Sequence, residues 1–130
     1  MSYENALTAA GCEVISFVHF GCYQGEWLAL IRKDGELGIC EGSYGSCSYC
    51  DAFESEFGYG EEDAPDYQSR LADFGNGYLP ADTIDQMIAK LTRDSERMEW
   101  DSDYQEMLET VLKWSEEYQV KGNAGEGSND

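Results

Sequence analysis

Between Glu13 and Glu41 two turn signals divide three runs of β-forming residues, and this arrangement constrains the fold more than any other feature of the chain. Residues 13–20, Glu-Val-Ile-Ser-Phe-Val-His-Phe, are rich in β-branched and aromatic side chains and predict a strand. Residues 21–25 form a turn between two glycines. Residues 27–32 are apolar on both faces, the pattern of a central strand buried on two sides. Asp34-Gly35 follows, the strongest short signal for a tight hairpin. Residues 37–41 then return as a third strand, and the three make an antiparallel meander.

The remainder reads as helix and loop. Residues 3–10 predict a short first helix ended by Gly11. Residues 42–51 are a loop dense in Gly, Ser, Tyr and Cys, residues 52–57 one or two helical turns, and residues 58–63 a polar linker. Pro65 is placed to open a helix through Phe74, which Gly75-Asn76-Gly77 would stop. Ile84, Met87, Ile88 and Leu91 carry the spacing of an amphipathic helix. Tyr104, Met107, Leu108, Val111, Ser115 and Tyr118 repeat it, with Ser102 or Asp101 as N-cap. Residues 122–130 hold no apolar side chain but Ala124 and predict a disordered tail. Strands first and helices after indicate an α+β class: an N-terminal three-stranded antiparallel meander followed by acidic amphipathic helices, in one domain over residues 1–121.

Charge limits the partners. The 130 residues carry 27 acids against 8 bases, a net charge of −19. A field of that sign repels phosphate backbones, so direct nucleic-acid binding is excluded and partners with basic surfaces are favoured. Residues 61–130 hold 18 acids and 6 bases, residues 1–60 only 9 and 2. The candidate partner surface is therefore Asp94, Glu96, Glu99, Asp101, Asp103, Glu106 and Glu109, with Tyr44 and Tyr49 as loop aromatics of the kind enriched at binding hot spots. Carboxylates three or four apart on a helix lie about 5–6 Å from one another, close enough to imitate a row of phosphates. The plainer alternative is a solvated helical face that aids solubility. Residues 1–5 lack the basic start of a signal peptide, and no apolar run approaches a membrane span, so a cytoplasmic setting without membrane contact is expected. Five cysteines, an odd number, agree with a reducing compartment.

The cysteines offer one candidate metal site. A meander returns Cys40 to the end where Cys22 lies, and Cys47-Ser48-Tyr49-Cys50 follows at once. Cys22, Cys40, Cys47 and Cys50 could hold a structural zinc, since C-x2-C is a common half-site. The competing reading is a tight Gly-rich loop with cysteines acting as small buried hydrophobes. No other cofactor is indicated. Gly42-Ser43-Tyr44-Gly45-Ser46 lacks the lysine and spacing of a phosphate-binding loop. The acids around Asp94–Asp103 lack the glycine of a calcium loop. A thiol enzyme would pair Cys22 or Cys47 with His19, the one histidine, but no third orienting group is evident. An enzyme is not expected.

Tyr23-Gln24-Gly25 with Trp27, then Gly42-Ser43-Tyr44-Gly45-Ser46-Cys47-Ser48 and Cys50-Asp51-Ala52-Phe53, resemble a family of small uncharacterised phage and bacterial proteins that carry a Tyr-Gln-Gly turn and a Gly-Ser-Cys-Ser-x-Cys-Asp loop. The resemblance spans about residues 13–58 and brings no catalytic residues. It implies a bacteriophage or mobile-element setting. Together with the charge it gives the functional expectation: a non-enzymatic, phage-encoded inhibitor of a host defence or nucleic-acid-binding protein, of nucleic-acid-mimicking, anti-CRISPR or anti-restriction type. A zinc-stabilised interaction module and a thiol enzyme are the alternatives.

Overall fold

The computed structural model describes residues 2–21, 25–45, 51–57, 64–97 and 102–120. The chain divides into two compact units, Met1–Ala81 and Asp82–Asp130, each described by itself. Helices and an antiparallel sheet together make the fold α+β, as the order of elements predicts.

The first unit begins with helix α1, Ser2–Ala9. Tyr3, Ala6 and Leu7 of α1 are buried, as is Ala10 just past its end, at the i, i+3, i+4, i+7 spacing of one helical face. Gly11 ends it with φ at 96°. The Gly11 amide donates to the Thr8 carbonyl and the Cys12 amide to the Leu7 carbonyl, both at 3.0 Å. This paired closure satisfies carbonyls that a helix end would otherwise leave open. Lys33 reaches across from the sheet and donates to the Ala10 carbonyl at 2.8 Å, setting a cation on the negative end of the helix.

Strands β1 (Glu13–Gly21), β2 (Gly25–Lys33) and β3 (Glu36–Tyr44) form a meander in the order β1-β2-β3. Asp34 and Gly35, with φ of 54° and 83°, turn β2 into β3 and pair Lys33 with Glu36. β2 is central, and Trp27, Leu28, Ala29, Leu30 and Ile31 are all buried, so both faces of the sheet are covered along its middle strand. A register shift between Val14 and Ser16 sets one extra residue into β1.

Helices α2 (Ala52–Phe57) and α3 (Tyr67–Asn76) complete the unit. Tyr3, Ala6 and Leu7 of α1, Phe53 and Phe57 of α2 and Leu71 of α3 bury Trp27, Ala29, Ile31, Cys40 and Tyr44 on one face of the sheet.

Three local expectations are corrected here. β3 runs on through Gly42, Ser43 and Tyr44, which pair with Trp27, Glu26 and Gly25 instead of opening a loop. Gly and Ser are weak strand formers, but the Trp27 ring lies against Gly42, where an added Cβ would sit 2.5 Å from it. Gly75 does not stop α3 but lies inside it at the crossing with α1, where a Cβ would meet the Ala6 carbonyl oxygen at 2.1 Å. The helix begins at Tyr67 with Pro65 in the preceding turn, two residues later than Pro65 suggests.

In the second unit α4 (Ile84–Arg97) packs against α5 (Ser102–Trp114), and residues Ser115–Val120 continue as a π-helical segment. Thr83 and Gln86 cap α4 reciprocally. The Gln86 amide donates to Thr83 Oγ1 at 3.0 Å and the Thr83 amide to Gln86 Oε1 at 2.9 Å. Ile84, Met87 and Leu91 are buried as the periodicity predicts, with Ser95 one turn on. On α5 the buried residues are Met107, Val111 and Trp114. Trp114 takes the place in the stripe expected of Ser115, which is half-buried. Ser102 is the first residue of α5, while Asp101 and the tail over residues 122–130 lie outside the described residues. Among the described residues no helix is long and apolar enough to cross a membrane.

Candidate functional site

A buried carboxylate sits at the root of the Gly-Ser-Tyr-Cys segment. Asp51 precedes α2 and is 6% exposed. Its Oδ1 accepts from the Tyr3 hydroxyl at 2.7 Å and from the Phe53 amide at 3.0 Å. Its Oδ2 accepts from the Gly45 amide at 3.0 Å. The bond to Phe53 is an N-cap of α2, and the bond to Gly45 ties the far side of segment 46–50 to the same side chain. Segment 46–50 itself, with Cys47, Tyr49 and Cys50, lies outside the described residues.

Aromatic rings surround this node. Tyr3 lies 5.3 Å from Trp27 and 5.9 Å from Phe53 by ring centroids. Trp27 also stacks on Phe17 at 5.2 Å and meets Tyr78 edge-on at 4.9 Å. The Trp27 indole is fully buried and its Nε1 has no hydrogen-bond partner among the described residues. Tyr44, expected as a loop residue on the partner surface, is instead a strand residue 7% exposed. Its hydroxyl donates to the Phe20 carbonyl at 2.7 Å, and His19 meets its ring edge-on at 5.7 Å.

Burial and the hydrogen bond to the Asp51 carboxylate push the Tyr3 hydroxyl well above the ordinary tyrosine range. Burial, then the Asp51 charge, raise Tyr78 in the same direction. The folded state therefore holds these protons more tightly than the unfolded chain does. Their contribution is complete below the ordinary value of 10.0 and is lost as pH rises above it. Each such tyrosine adds a slope of up to about 1.4 kcal/mol per pH unit in that range. Denaturant midpoints measured from about pH 8 to about pH 11 should fall at the alkaline end, and Tyr3→Phe should flatten the fall. An unchanged alkaline slope in that variant would contradict the assignment.

Of the four cysteines expected at a metal site, Cys40 alone lies among the described residues. Cys40 pairs with Ala29 in the middle of β3, is 1% exposed and belongs to the core cluster. Four more strand residues separate it from the Tyr44 end, about 13 Å at the usual rise of about 3.3 Å per residue. Cys22, Cys47 and Cys50 lie outside the described residues. Among the described residues no group of three His, Cys, Asp or Glu side chains could hold a metal ion. Cys12, which the sequence pattern did not single out, is buried beneath α1. Burial raises its thiol above the ordinary value, and the nearby Lys33 charge offsets part of that rise.

The acidic surface resolves by helix. On α4, Asp85, Asp94 and Glu96 are matched in number by Lys90, Arg93 and Arg97, so that helix carries no net charge. Asp94 is half-buried and Glu96 exposed. α5 carries Asp103, Glu106 and Glu109 against Lys113 alone, and Glu116 and Glu117 follow in the π-helical segment. Glu106, Glu109, Glu116 and Glu117 are exposed, and Asp103 is half-buried. Glu99, Asp101 and Tyr49 lie outside the described residues. Asp82 apart, the excess of negative charge in the described part of this unit thus belongs to α5 and its extension. Neighbours three apart, such as Glu106 and Glu109, repel mildly. Comparison of the chain with family models, curated proteins and solved structures finds no match.

Proposed function

We propose that the chain is a non-enzymatic binding protein that engages a basic surface on another protein, and that it acts as an inhibitor of a nucleic-acid-binding or defence protein in a bacterial host. The observation that carries this reading is the run of exposed glutamates at 106, 109, 116 and 117 on a chain of net charge −19. Opposite charge steers the encounter and is screened by salt. The resemblance to small phage proteins over residues 13–58 supports the bacterial setting.

The test is capture from a bacterial lysate by the protein and by a variant with Glu106, Glu109, Glu116 and Glu117 all changed to Gln. At about 50 mM salt the screening length is about 14 Å, and at about 500 mM it is about 4 Å. Basic nucleic-acid-binding proteins should be retained by the parent chain at the lower salt, released at the higher, and poorly retained by the variant. Added protein should also block the captured protein's binding to nucleic acid. Recovery of no basic protein at either salt would sink the reading.

A further inference from the structure

We propose that β1 is a docking edge, to which an extended segment of the partner carrying lysine or arginine adds as a fourth strand. This rests on the basic-partner reading above and specifies how such a partner would be held.

The hydrogen-bond phase of the sheet follows from its hairpin. Lys33 and Glu36 close the two-residue Asp34-Gly35 turn, so they form a hydrogen-bonded pair. Alternation along β2 then directs the N–H and C=O of Trp27 and Ala29 to β3, and those of Glu26, Leu28 and Leu30 to β1. Phe17 and His19, opposite Ala29 and Trp27, and Gly21, opposite Gly25, must turn their own N–H and C=O outward, away from β2. β1 ends the sheet, and these groups have no backbone partner among the described residues.

The two edges of the sheet are not equivalent. On β3, Gly38, Ile39 and Cys40 are buried at mid-strand. On β1, residues 14–18 are only half-buried and His19 is exposed. Edge strands are normally blunted by lysine, proline or a bulge. β1 has its register shift at the Val14 end, but residues 16–21, Ser-Phe-Val-His-Phe-Gly, contain neither lysine nor proline. Such a run offers main-chain bonds to an added strand, the mode by which sheet edges take up extended peptides.

Charge selects the occupant. A second copy would bring another −19, and residues 14–21 contain no Asp, Glu, Lys or Arg that could offset the repulsion. One added strand pair also falls short of the roughly 1,000 Å² that a stable dimer needs. A basic segment gains from the same field that repels a copy. Glu26, the Cα partner of Phe20 on β2, sets a negative charge close to that end of the edge.

The test uses the full chain and two short synthetic peptides, one alternating lysine with valine and the other glutamate with valine. The lysine peptide should slow amide exchange at Phe17, His19 and Gly21 by about tenfold or more, and the glutamate peptide should not. His19→Pro removes a donor that faces away from β2, a position where an edge strand tolerates proline. It should weaken the lysine peptide about tenfold while circular dichroism stays unchanged. His19→Lys, which leaves the backbone intact and places a cation on the edge, should weaken it as well and decides the matter should the proline variant fail to fold. Binding without protection at these three amides, or binding undiminished in both variants, overturns the edge and leaves the basic-partner reading standing. Equal binding of both peptides at the edge overturns the charge selection. Protection that appears without peptide and grows with protein concentration would assign the edge to a second copy and overturn the proposal.

Discussion

Trp27→Ala should destabilise the first unit by about 3–5 kcal/mol, the range for emptying a large aromatic side chain from a packed core. The indole has no exposed surface and touches the rings of Phe17, Tyr3 and Tyr78, so truncation removes contacts that three elements share. Trp27→Phe should cost far less, about 1–2 kcal/mol, because the smaller ring also removes a buried N–H that has no acceptor among the described residues, a penalty of about 1–3 kcal/mol. Gly42 supplies the internal control. Gly42→Ala places a methyl group 2.5 Å from the Trp27 ring and should destabilise the parent chain. In the Trp27→Ala background the space is open and the same change should be close to neutral, a coupling of about 1 kcal/mol or more. Urea titration of the four chains measures all of these terms. Additive effects of the two substitutions would show that Gly42 is not there to admit the indole.

The sheet was legible because its signals are local. β-branched residues in 13–18, apolar residues on both faces of 27–31 and Asp34-Gly35 between strands each state their role within a few positions. The helical stripe Ile84, Met87, Leu91 is local in the same sense. What was misread depends on partners distant in sequence. Gly42 looks like a loop residue until Trp27, fifteen positions earlier in the chain, is laid across it. Gly75 looks like a helix stop until Ala6 is brought against it. The bond from Tyr3 to Asp51 spans 48 positions, and no pattern in either neighbourhood announces it. Thr83-Ile84-Asp85-Gln86 is a different case. Its capping-box spacing is visible in the sequence and would have fixed the start of α4. The acidic surface was legible only as a total. That α4 is balanced by Lys90, Arg93 and Arg97 while α5 is not follows from the helix boundaries, which composition does not contain.

Asp51→Ala should cost about 3 kcal/mol, because three donors lose their acceptor at once in a buried place. The Tyr3 hydroxyl and the amides of Gly45 and Phe53 all point at this carboxylate. A buried donor left without a partner costs about 1–3 kcal/mol, and loss of an N-cap costs about 1 kcal/mol. Some of these amides regain water, which keeps the total below the sum. Tyr3→Phe removes one of the three bonds and should cost about 1–2 kcal/mol. The double variant should be less destabilised than the two single effects added, by about 1 kcal/mol, since both remove the same contact. Asp51→Asn separates the two halves of the node. An asparagine oxygen in the place of Oδ1 keeps the bonds to Tyr3 and Phe53, but its NH2 group then faces the Gly45 amide, donor against donor. Amide exchange at Gly45 should therefore quicken in Asp51→Asn while exchange at Phe53 changes little. If exchange at Gly45 is unchanged, Asp51 acts only as the cap of α2; if Gly45 alone responds, the carboxylate also anchors Gly45 at the end of β3.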